Sequence, residues 1–457
     1  MTERDPTVTW HVRQALLPDG WAENVRISVS GTKIAKIETG RPAEPGDVRI
    51  GIGLPTVGNL HSHAFQRAMA GLTEISGPDG DSFWTWRQRM YRFVDAIGPE
   101  DMEAIAAFAF MEMAEAGFGR VGEFHYLHHD IDGGSYADPA EMAGRVAAAA
   151  NEAGIGLTLL PVFYAHGGFG GQPPAEGQRR FICNTDSYSR LLDGSRQAVG
   201  TLPDAIVGIA PHSLRAVTRE ELDELLVLAG GNPVHIHIAE QVREVEDCLS
   251  WSGARPVRWL LDHTPVDARW CLVHATHMDS GEAVDLARSG AVAGLCPITE
   301  ANLGDGLFPA RAFAEAGGAY GIGSDSNVRI DMTEELRLLE YGQRLAAKAR
   351  NVMATGGLST GRTLFDQCVI GGARALGVEG GIAVGASADL VVLDEARLMM
   401  SAPSGDTALD TLVFSAGQAA IGDVWIAGKR AVAGGRHENR DAIESRYRRA
   451  ISRLLSS

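Results

Sequence analysis

From Leu54 onward, short apolar runs alternate with longer Ala-rich amphipathic segments. Apolar runs bounded by turn residues read as buried strands, and apolar positions recurring every three or four residues read as helices. The strand candidates are Leu54–Leu60, Arg120–Phe124, Gly156–Phe163, Ala205–Ala210, Pro233–Ile238, Trp270–His274, Ala291–Cys296 and Ala319–Gly323. Helical segments fall between them, among them Pro99–Ala116, Pro139–Ala153, Arg219–Leu228, Val242–Leu249 and Ser280–Arg288. This alternation predicts an α/β fold of the closed (β/α)8 TIM-like barrel type rather than an open doubly wound sheet. No Gly-x-Gly-x-x-Gly follows the first strand, which weighs against a dinucleotide fold. Three helical stretches are expected between Ser324 and about Leu376.

The two ends have a different texture. Val8–Leu17 is β-rich and is followed by the turn signal Pro18-Asp19-Gly20. Val25–Val29 and Lys33–Ile37 alternate polar and apolar residues, and strand patterns return at Ala388–Leu393 and Asp423–Lys429. The expected organisation is a barrel (54–379) inserted in a small discontinuous β-sandwich module (1–53 plus 380–435), closed by a charged C-terminal helix (436–457). Gly167-Gly168-Phe169-Gly170-Gly171 has no Lys-Ser/Thr after it, so it is a lid or a linker rather than a phosphate loop.

Composition narrows the function classes. The 457 residues suffice for a barrel with an accessory module. Lys and Arg number 41 against 58 Asp and Glu, a net charge of −17. Such a surface argues against nucleic-acid binding, which is driven by phosphate neutralisation. It leaves room for an anionic small molecule, because a local Arg pair overrides the global field. The five cysteines (Cys183, Cys248, Cys271, Cys296, Cys368) are widely spaced and read as free buried thiols of a reducing cytoplasm. The start MTERDPTVTW lacks the apolar core of a signal peptide, and no apolar run is long enough to span a bilayer. A cytoplasmic protein without a membrane partner is expected.

Several apolar runs end in ionisable residues. His61 and His63 stand at i and i+2 and so point to one side of a strand. In a barrel, strand C-termini converge on one face. That face would collect His61 and His63 from the first strand, Glu123 to Tyr126 after the second and His212 after the fourth. His235, His237 and Glu240 would come from the fifth strand, His274 from the sixth and Asp325 from the eighth. Three neutral imidazoles and a carboxylate suit one divalent metal, Zn2+ with Fe2+ as the alternative, and leave a position for water. His235 and His237 share a face; His237 lies nearer the strand end and is chosen, with His235 packed deeper. His128, His129, His166, His263 and His277 read as structural. Standing alone, Asp325 in Gly323-Ser324-Asp325-Ser326 would be an ordinary turn residue.

His61-x-His63, His237, His274 and Asp325, with the flanking β module, resemble the amidohydrolase superfamily over nearly the whole chain. Gly385-x-x-Ala388-Asp389-Leu390-Val391 is similar to that family's returning β-sandwich segment. Members with two metals carry a bridging Lys or Glu at the end of the fourth strand, but Gly208-Ile209-Ala210-Pro211-His212-Ser213 has neither, so one metal is expected. His61-Ser62-His63-Ala64-Phe65-Gln66-Arg67-Ala68-Met69-Ala70-Gly71, Trp84-Thr85-Trp86-Arg87, Glu123-Phe124-His125-Tyr126-Leu127-His128 and Pro211-His212-Ser213-Leu214-Arg215 resemble the formimidoylglutamate deiminases of histidine degradation more narrowly.

The resemblance implies hydrolysis of N-formimino-L-glutamate to N-formyl-L-glutamate and ammonia. It implies His61, His63, His237 and Asp325 as metal ligands. Asp325, His274 and Glu240 would be catalytic: Asp325 takes the water proton, His274 orients the water, and Glu240 moves a proton to the leaving nitrogen. Arg87 and Arg215 are candidates for the two substrate carboxylates, because guanidinium forks match carboxylates. Gln66, Tyr126 and His212 would add neutral hydrogen bonds. A homodimer is also implied. Two rivals stand beside this reading: a mononuclear deaminase of an aminated purine, pyrimidine or triazine ring, and a barrel scaffold without chemistry.

Overall fold

The computed structural model describes residues 8–74, 82–398 and 404–456. Four strands come first: β1 (Val8–Leu17), β2 (Gly20–Ser30), β3 (Lys33–Glu38) and β4 (Val48–Leu54). Pro55 then divides what the sequence presents as one apolar run. It has no N–H for a ladder, so β4 stops at Leu54 and a new strand, β5, begins at Val57 and runs to Ser62. Leu54 therefore belongs to the terminal module, not to the first barrel strand as the pattern suggested.

The barrel continues through β6 (Phe118–His125), β7 (Gly156–Phe163), β8 (Ile206–Val207), β9 (Ala210–Pro211), β10 (Val234–Ile238), β11 (Trp270–His274), β12 (Val292–Leu295) and β13 (Ala319–Ile322). β5 to β8 pair in parallel, β9 pairs with β7, and β10 to β13 form a second parallel set. Two seams join these sets. At one, Ile209 bridges Val234 and Ile209 N–H donates to Pro233 O at 2.9 Å. At the other, Ser62 bridges Asp325, with Asp325 N–H donating to His61 O at 3.0 Å and His63 N–H to Asp325 O at 2.9 Å. The ring is thereby closed, as expected of a (β/α)8 barrel.

The fourth barrel strand, expected as one run over 205–210, is split into β8 and β9. Gly208 lies at the split, where a Cβ would stand 2.6 Å from Pro233 O. The tight first seam needs glycine there. Gly323 has the same role at the second seam, where a Cβ would meet His61 O at 2.7 Å. Glu123 and His125 lie inside β6 rather than after it. Between Ser324 and Leu376 two helices form, Met332–Ala347 and Thr360–Ala375, not three. Lys348 takes a left-handed φ of 53° and ends the first, and the chain reaches the second through a loop.

After the barrel come β14 (Leu390–Leu393), β15 (Ile421–Ile426), β16 (Lys429–Ala433) and β17 (Arg436–His437). They join the opening strands in one sheet of order β17-β16-β15-β14-β4-β1-β2-β3. Three strand spacings separate β1 from β15, about 14 Å on a flat sheet. Yet the Trp10 and Trp425 rings sit 5.5 Å apart, and Lys33 of β3 bridges Ser387 just before β14. The sheet therefore curls over its own core of Trp10, Val12, Val25, Ile27, Val29 and Leu390. Its other face adds Ile52, Leu54, Val391 and Val424 to the main core. The last helix is Arg440–Ser456; His437, expected in it, is in β17 instead.

Candidate active site

The C-terminal ends of the barrel strands bring His61, His63, His237 and Asp325 together, with one ligand atom from each within 4.8 Å of all the others. His61 Nε2 lies 3.2 Å from His63 Nε2 and 3.1 Å from His237 Nε2. Asp325 Oδ1 lies 3.4 Å from His61 Nε2 and 3.3 Å from His63 Nε2. A tetrahedral ion with bonds of ~2.0–2.1 Å holds neighbouring ligand atoms about 3.3 Å apart. Four of the six ligand-to-ligand distances have that spacing, and the other two lie within 4.8 Å.

Protonation agrees with it. His63 Nδ1 is 2.9 Å from Phe124 O, and His237 Nδ1 is 3.1 Å from His212 O. A carbonyl only accepts, so each Nδ1 carries the proton and each Nε2 presents a lone pair. Burial holds His61 and His237 well below the ordinary imidazole range and lowers His63 too. His61 Nε2 stands about 3 Å from both of these Nε2 lone pairs and Asp325 Oδ1 brings a carboxylate beside them, an electron-rich meeting that a shared cation turns into bonds. The donor set thus fits one divalent metal.

Backbone conformation aims these groups. Ala239, His274 and Asp325 adopt φ of 50°, 66° and 44°, an unfavourable region for side chains with a Cβ. The turn at Ala239 is held by Glu244, whose carboxylate accepts from Ala239 N and Glu240 N, both at 3.1 Å. The Asp325 turn is held by Asn327. Its amide donates to Ser62 Oγ at 3.1 Å, His63 O at 3.0 Å and Asp325 O at 3.1 Å. Ser324 Oγ donates to Asn327 Oδ1 at 2.6 Å, and Asn59 Nδ2 donates to Ser324 Oγ at 2.7 Å.

A cavity opens beside the cluster. Every other expected site residue lines it: Gln66, Arg87, Tyr126, His212, Arg215, Glu240 and His274. Glu240 Oε1 and Asp325 Oδ2 approach His274 Nε2 at 3.9 and 3.8 Å. Glu300 Oε1 lies 3.3 Å from His274 Nδ1. Burial works to lower His274, but Glu240, Glu300 and Asp325 outweigh it and raise the imidazole to about 10. Burial raises the Glu240 carboxyl to about 7, against the opposing pull of His274 and Arg215.

Two guanidiniums reach the same cavity. Arg87 has no carboxylate partner among the described residues; it donates to the Tyr91 hydroxyl at 2.6 Å and the Tyr164 hydroxyl at 3.1 Å. Arg215 Nε is buried without a hydrogen-bond partner among the described residues. Gln66 Nε2 donates to Tyr126 Oη at 3.0 Å, and Gln66 Oε1 is buried without a partner among the described residues.

The structural histidines find backbone or helix partners. His128 bonds Val162 O at 2.8 Å, His129 Ile182 O at 2.7 Å, His166 Glu221 at 3.0 Å and His263 Trp259 O at 2.7 Å. His277 lies outside the cluster, its backbone N–H donating to Ala239 O at 2.9 Å. His235 lies deeper in the barrel, bonded to Ala375 O at 2.8 Å. The Gly-rich segment 167–171 is a closed loop, bridged from Gly168 to Gln172, with Phe169 stacked 5.5 Å from Trp251. All five cysteines are free and buried. No helix among the described residues is long and apolar enough to cross a membrane. Sequence reasoning missed Asn59, Ser324, Asn327, Glu244, Glu300 and Tyr91; of these, Asn59, Ser324 and Asn327 stand within two residues of a ligand candidate and so carried a positional signal.

Comparison with known proteins places this geometry. The amidohydrolase family matches residues 52–431, and the family described as "Formimidoylglutamate deiminase HutF, N-terminal domain" matches residues 8–51. The chain is 52% identical over 448 residues to a protein of Pseudomonas aeruginosa named formimidoylglutamate deiminase, covering 97% of each. A crystal structure of an amidohydrolase from Brucella melitensis superposes with a TM-score of 0.96 at 56% identity, over 98% of this chain and 100% of that one. A zinc-bound adenosine deaminase from Xanthomonas campestris shares the fold, with a TM-score of 0.81 at 22% identity over 99% of this chain and 100% of that one.

Proposed function

The chain belongs to the amidohydrolase family, and from that premise we propose that it hydrolyses N-formimino-L-glutamate to N-formyl-L-glutamate and ammonia. One observation carries the substrate assignment beyond the family: two cavity-facing guanidiniums, Arg87 and Arg215, lack carboxylate partners among the described residues beside a His3Asp cluster. A dianion with a C=N carbon answers both features. Aromatic lining by Phe83, Trp86, Tyr164 and Phe181 would also accept a ring amine, but a neutral ring leaves two half-buried guanidiniums without a carboxylate partner.

When bound, a divalent metal supplies hydroxide at neutral pH by lowering the pKa of water from 15.7 toward about 7. Zn2+ is the ion we assign, since His3Asp with an open position suits it, and Fe2+ is the alternative. Asp325 turns Oδ1 to the imidazoles and Oδ2 toward His274, so Oδ2 can accept the water proton. His274 sits where its Nε2 hydrogen can steady the attacking oxygen. Glu240, with its carboxyl near 7, holds a proton for the formimino nitrogen. Oxygen adds to the formimino carbon as Glu240 gives its proton to the terminal nitrogen. The deprotonated Glu240 then takes the hydroxyl proton of the tetrahedral carbon and passes it to the same nitrogen, so that the C=O forms, the C–N bond breaks and NH3 leaves, while the proton held by Asp325 restores Glu240. Arg87 and Arg215 hold the two carboxylates. Gln66 Oε1 offers an acceptor for a substrate N–H.

Five reduced thiols fit a cytoplasmic enzyme. The test is ammonia release by the Zn2+- or Fe2+-loaded protein from N-formimino-L-glutamate against a panel of aminated purines, pyrimidines and triazines. Preference for a ring amine would overturn the assignment, and failure to bind metal would revive the scaffold reading.

A further inference from the structure

Arg87 is held in an unusual way for a half-buried guanidinium. It stands on the helix Phe83–Val94, which covers the cavity, and its fork is gripped by two phenols rather than by a carboxylate. Nε donates to Tyr91 Oη at 2.6 Å, one helical turn along, and Nη2 donates to Tyr164 Oη at 3.1 Å, just beyond β7. Gln178 Nε2 donates to the same Tyr164 oxygen at 2.7 Å, while its Oε1 accepts from Ala175 N at 2.7 Å. Gln178 is itself 3% exposed. The ladder Gln178–Tyr164–Arg87–Tyr91 thus fixes the guanidinium from three separate segments.

Each phenol here accepts from Arg87, so each keeps its own O–H proton to donate. A carboxylate in either position would hold the fork as well but would cancel its charge. Burial pushes the Tyr91 phenol up to about 12, so it stays neutral in the working range. Burial works to lower the Arg87 guanidinium, but Tyr164, Tyr91 and Glu240 outweigh it, and its pKa lies above the ordinary value. The charge is therefore fixed and half-buried, with no carboxylate in ion-pair contact among the described residues.

We propose that Tyr91 and Tyr164 are positioning residues that lock the Arg87 fork for one substrate carboxylate while leaving its charge unspent, so that they determine selection of dianionic over monoanionic substrates. This rests on the reading of Arg87 as a carboxylate clamp. Hydrogen bonds to charged groups are worth enough that losing one phenol oxygen raises KM for N-formimino-L-glutamate roughly tenfold.

The experiment compares metal-loaded wild type with Tyr91→Phe, Tyr164→Phe and Arg87→Met. Three formimino substrates are used: N-formimino-L-glutamate, its side-chain amide, which keeps only the α-carboxylate, and the formimino derivative of 4-aminobutyrate, which keeps only the distal one. Thermal melts confirm folding. Expected are a KM rise in both phenylalanine variants that exceeds any fall in kcat, and loss of that rise for whichever analogue lacks the Arg87-bound carboxylate. A folded phenylalanine pair with wild-type KM, beside an Arg87→Met variant whose KM is raised, overturns the proposal and leaves the clamp reading standing. Wild-type KM in Arg87→Met overturns the clamp reading itself. An equal penalty on all three substrates in the phenylalanine variants also overturns the proposal, since a general packing defect does not distinguish carboxylates.

Discussion

Asn327→Asp is a near-isosteric change that should loosen the metal cluster without touching a ligand. Asn327 sits at φ 54°, a conformation that Asn and Asp both tolerate, so the backbone is not the issue. Its amide shares two protons among Ser62 Oγ, His63 O and Asp325 O, at 3.1, 3.0 and 3.1 Å. These are groups on the two strand ends that carry three of the four ligands, His61, His63 and Asp325, at the seam where the barrel closes. A carboxylate keeps the acceptor for Ser324 Oγ, at 2.6 Å in the native protein, but turns an oxygen toward the other three. Two buried donors are lost, each worth about 1 kcal/mol net. His63 O still accepts from Gln66 N–H and Asp325 O from His63 N–H, so Ser62 Oγ is the acceptor left without its donor, at about 1–3 kcal/mol.

The sum is about 3–5 kcal/mol, a large part of the ~5–15 kcal/mol that holds a protein folded. Partners one step behind the ligands typically control metal affinity by about 10–100-fold. Two assays separate these effects: urea unfolding of the metal-free protein, and Zn2+ competition against a chromophoric chelator for the folded variant. The expected result is a lower urea midpoint with unchanged slope and at least tenfold weaker Zn2+ binding. A variant with the native midpoint and Zn2+ affinity within twofold of wild type would refute the reasoning, since the seam network would then be incidental.

Other outcomes follow from the same geometry. Asp325→Asn should abolish turnover and weaken metal binding, measured by ammonia release and by metal content after gel filtration; turnover near wild type would remove Asp325 from the chemistry. Arg215→Ala should raise KM by the equivalent of about 2–5 kcal/mol, because it strips one charged partner from a buried ion pair; a smaller rise with unaltered substrate preference would take Arg215 out of the pocket. Glu240→Gln should lower kcat while N-formimino-L-glutamate still binds, and should remove the ionisation near 7 from the kcat/KM profile; a persisting limb at that pH would assign it to another group. Burial raises Glu123 to about 8 despite its 2.7 Å bond from Ala64 N. Its folded pKa exceeds the unfolded one, so its stabilisation is full below about 4.5 and is lost as pH rises through about 8. Glu123→Gln should flatten that decline in urea midpoints between pH 5 and 8, and parallel curves for the two proteins would contradict it.

The barrel and its metal cluster were legible because both are written locally. A run of apolar residues ending in histidine names a strand, its end and its facing at once, as in β5, β10 and β11. Convergence then follows from barrel geometry without knowing any contact. The corrections have equally local causes: Pro55 ends a ladder inside one apolar run, and Gly208 splits a strand where Pro233 O comes too close. What stayed hidden is whatever depends on two distant segments meeting. Asn59 and Ser324 are 265 positions apart and each alone reads as an unremarkable polar residue at a strand or turn. Tyr91 looks like one more residue of an aromatic-rich helix until the fold brings Tyr164, 77 positions beyond Arg87, to the other side of the same guanidinium. Arg87 was itself read from the sequence through resemblance alone, since helix spacing gives a surface Arg. The structure supplies a physical reason for it: a half-buried cation whose hydrogen bonds go to phenols keeps its charge for an anion that enters the pocket it lines.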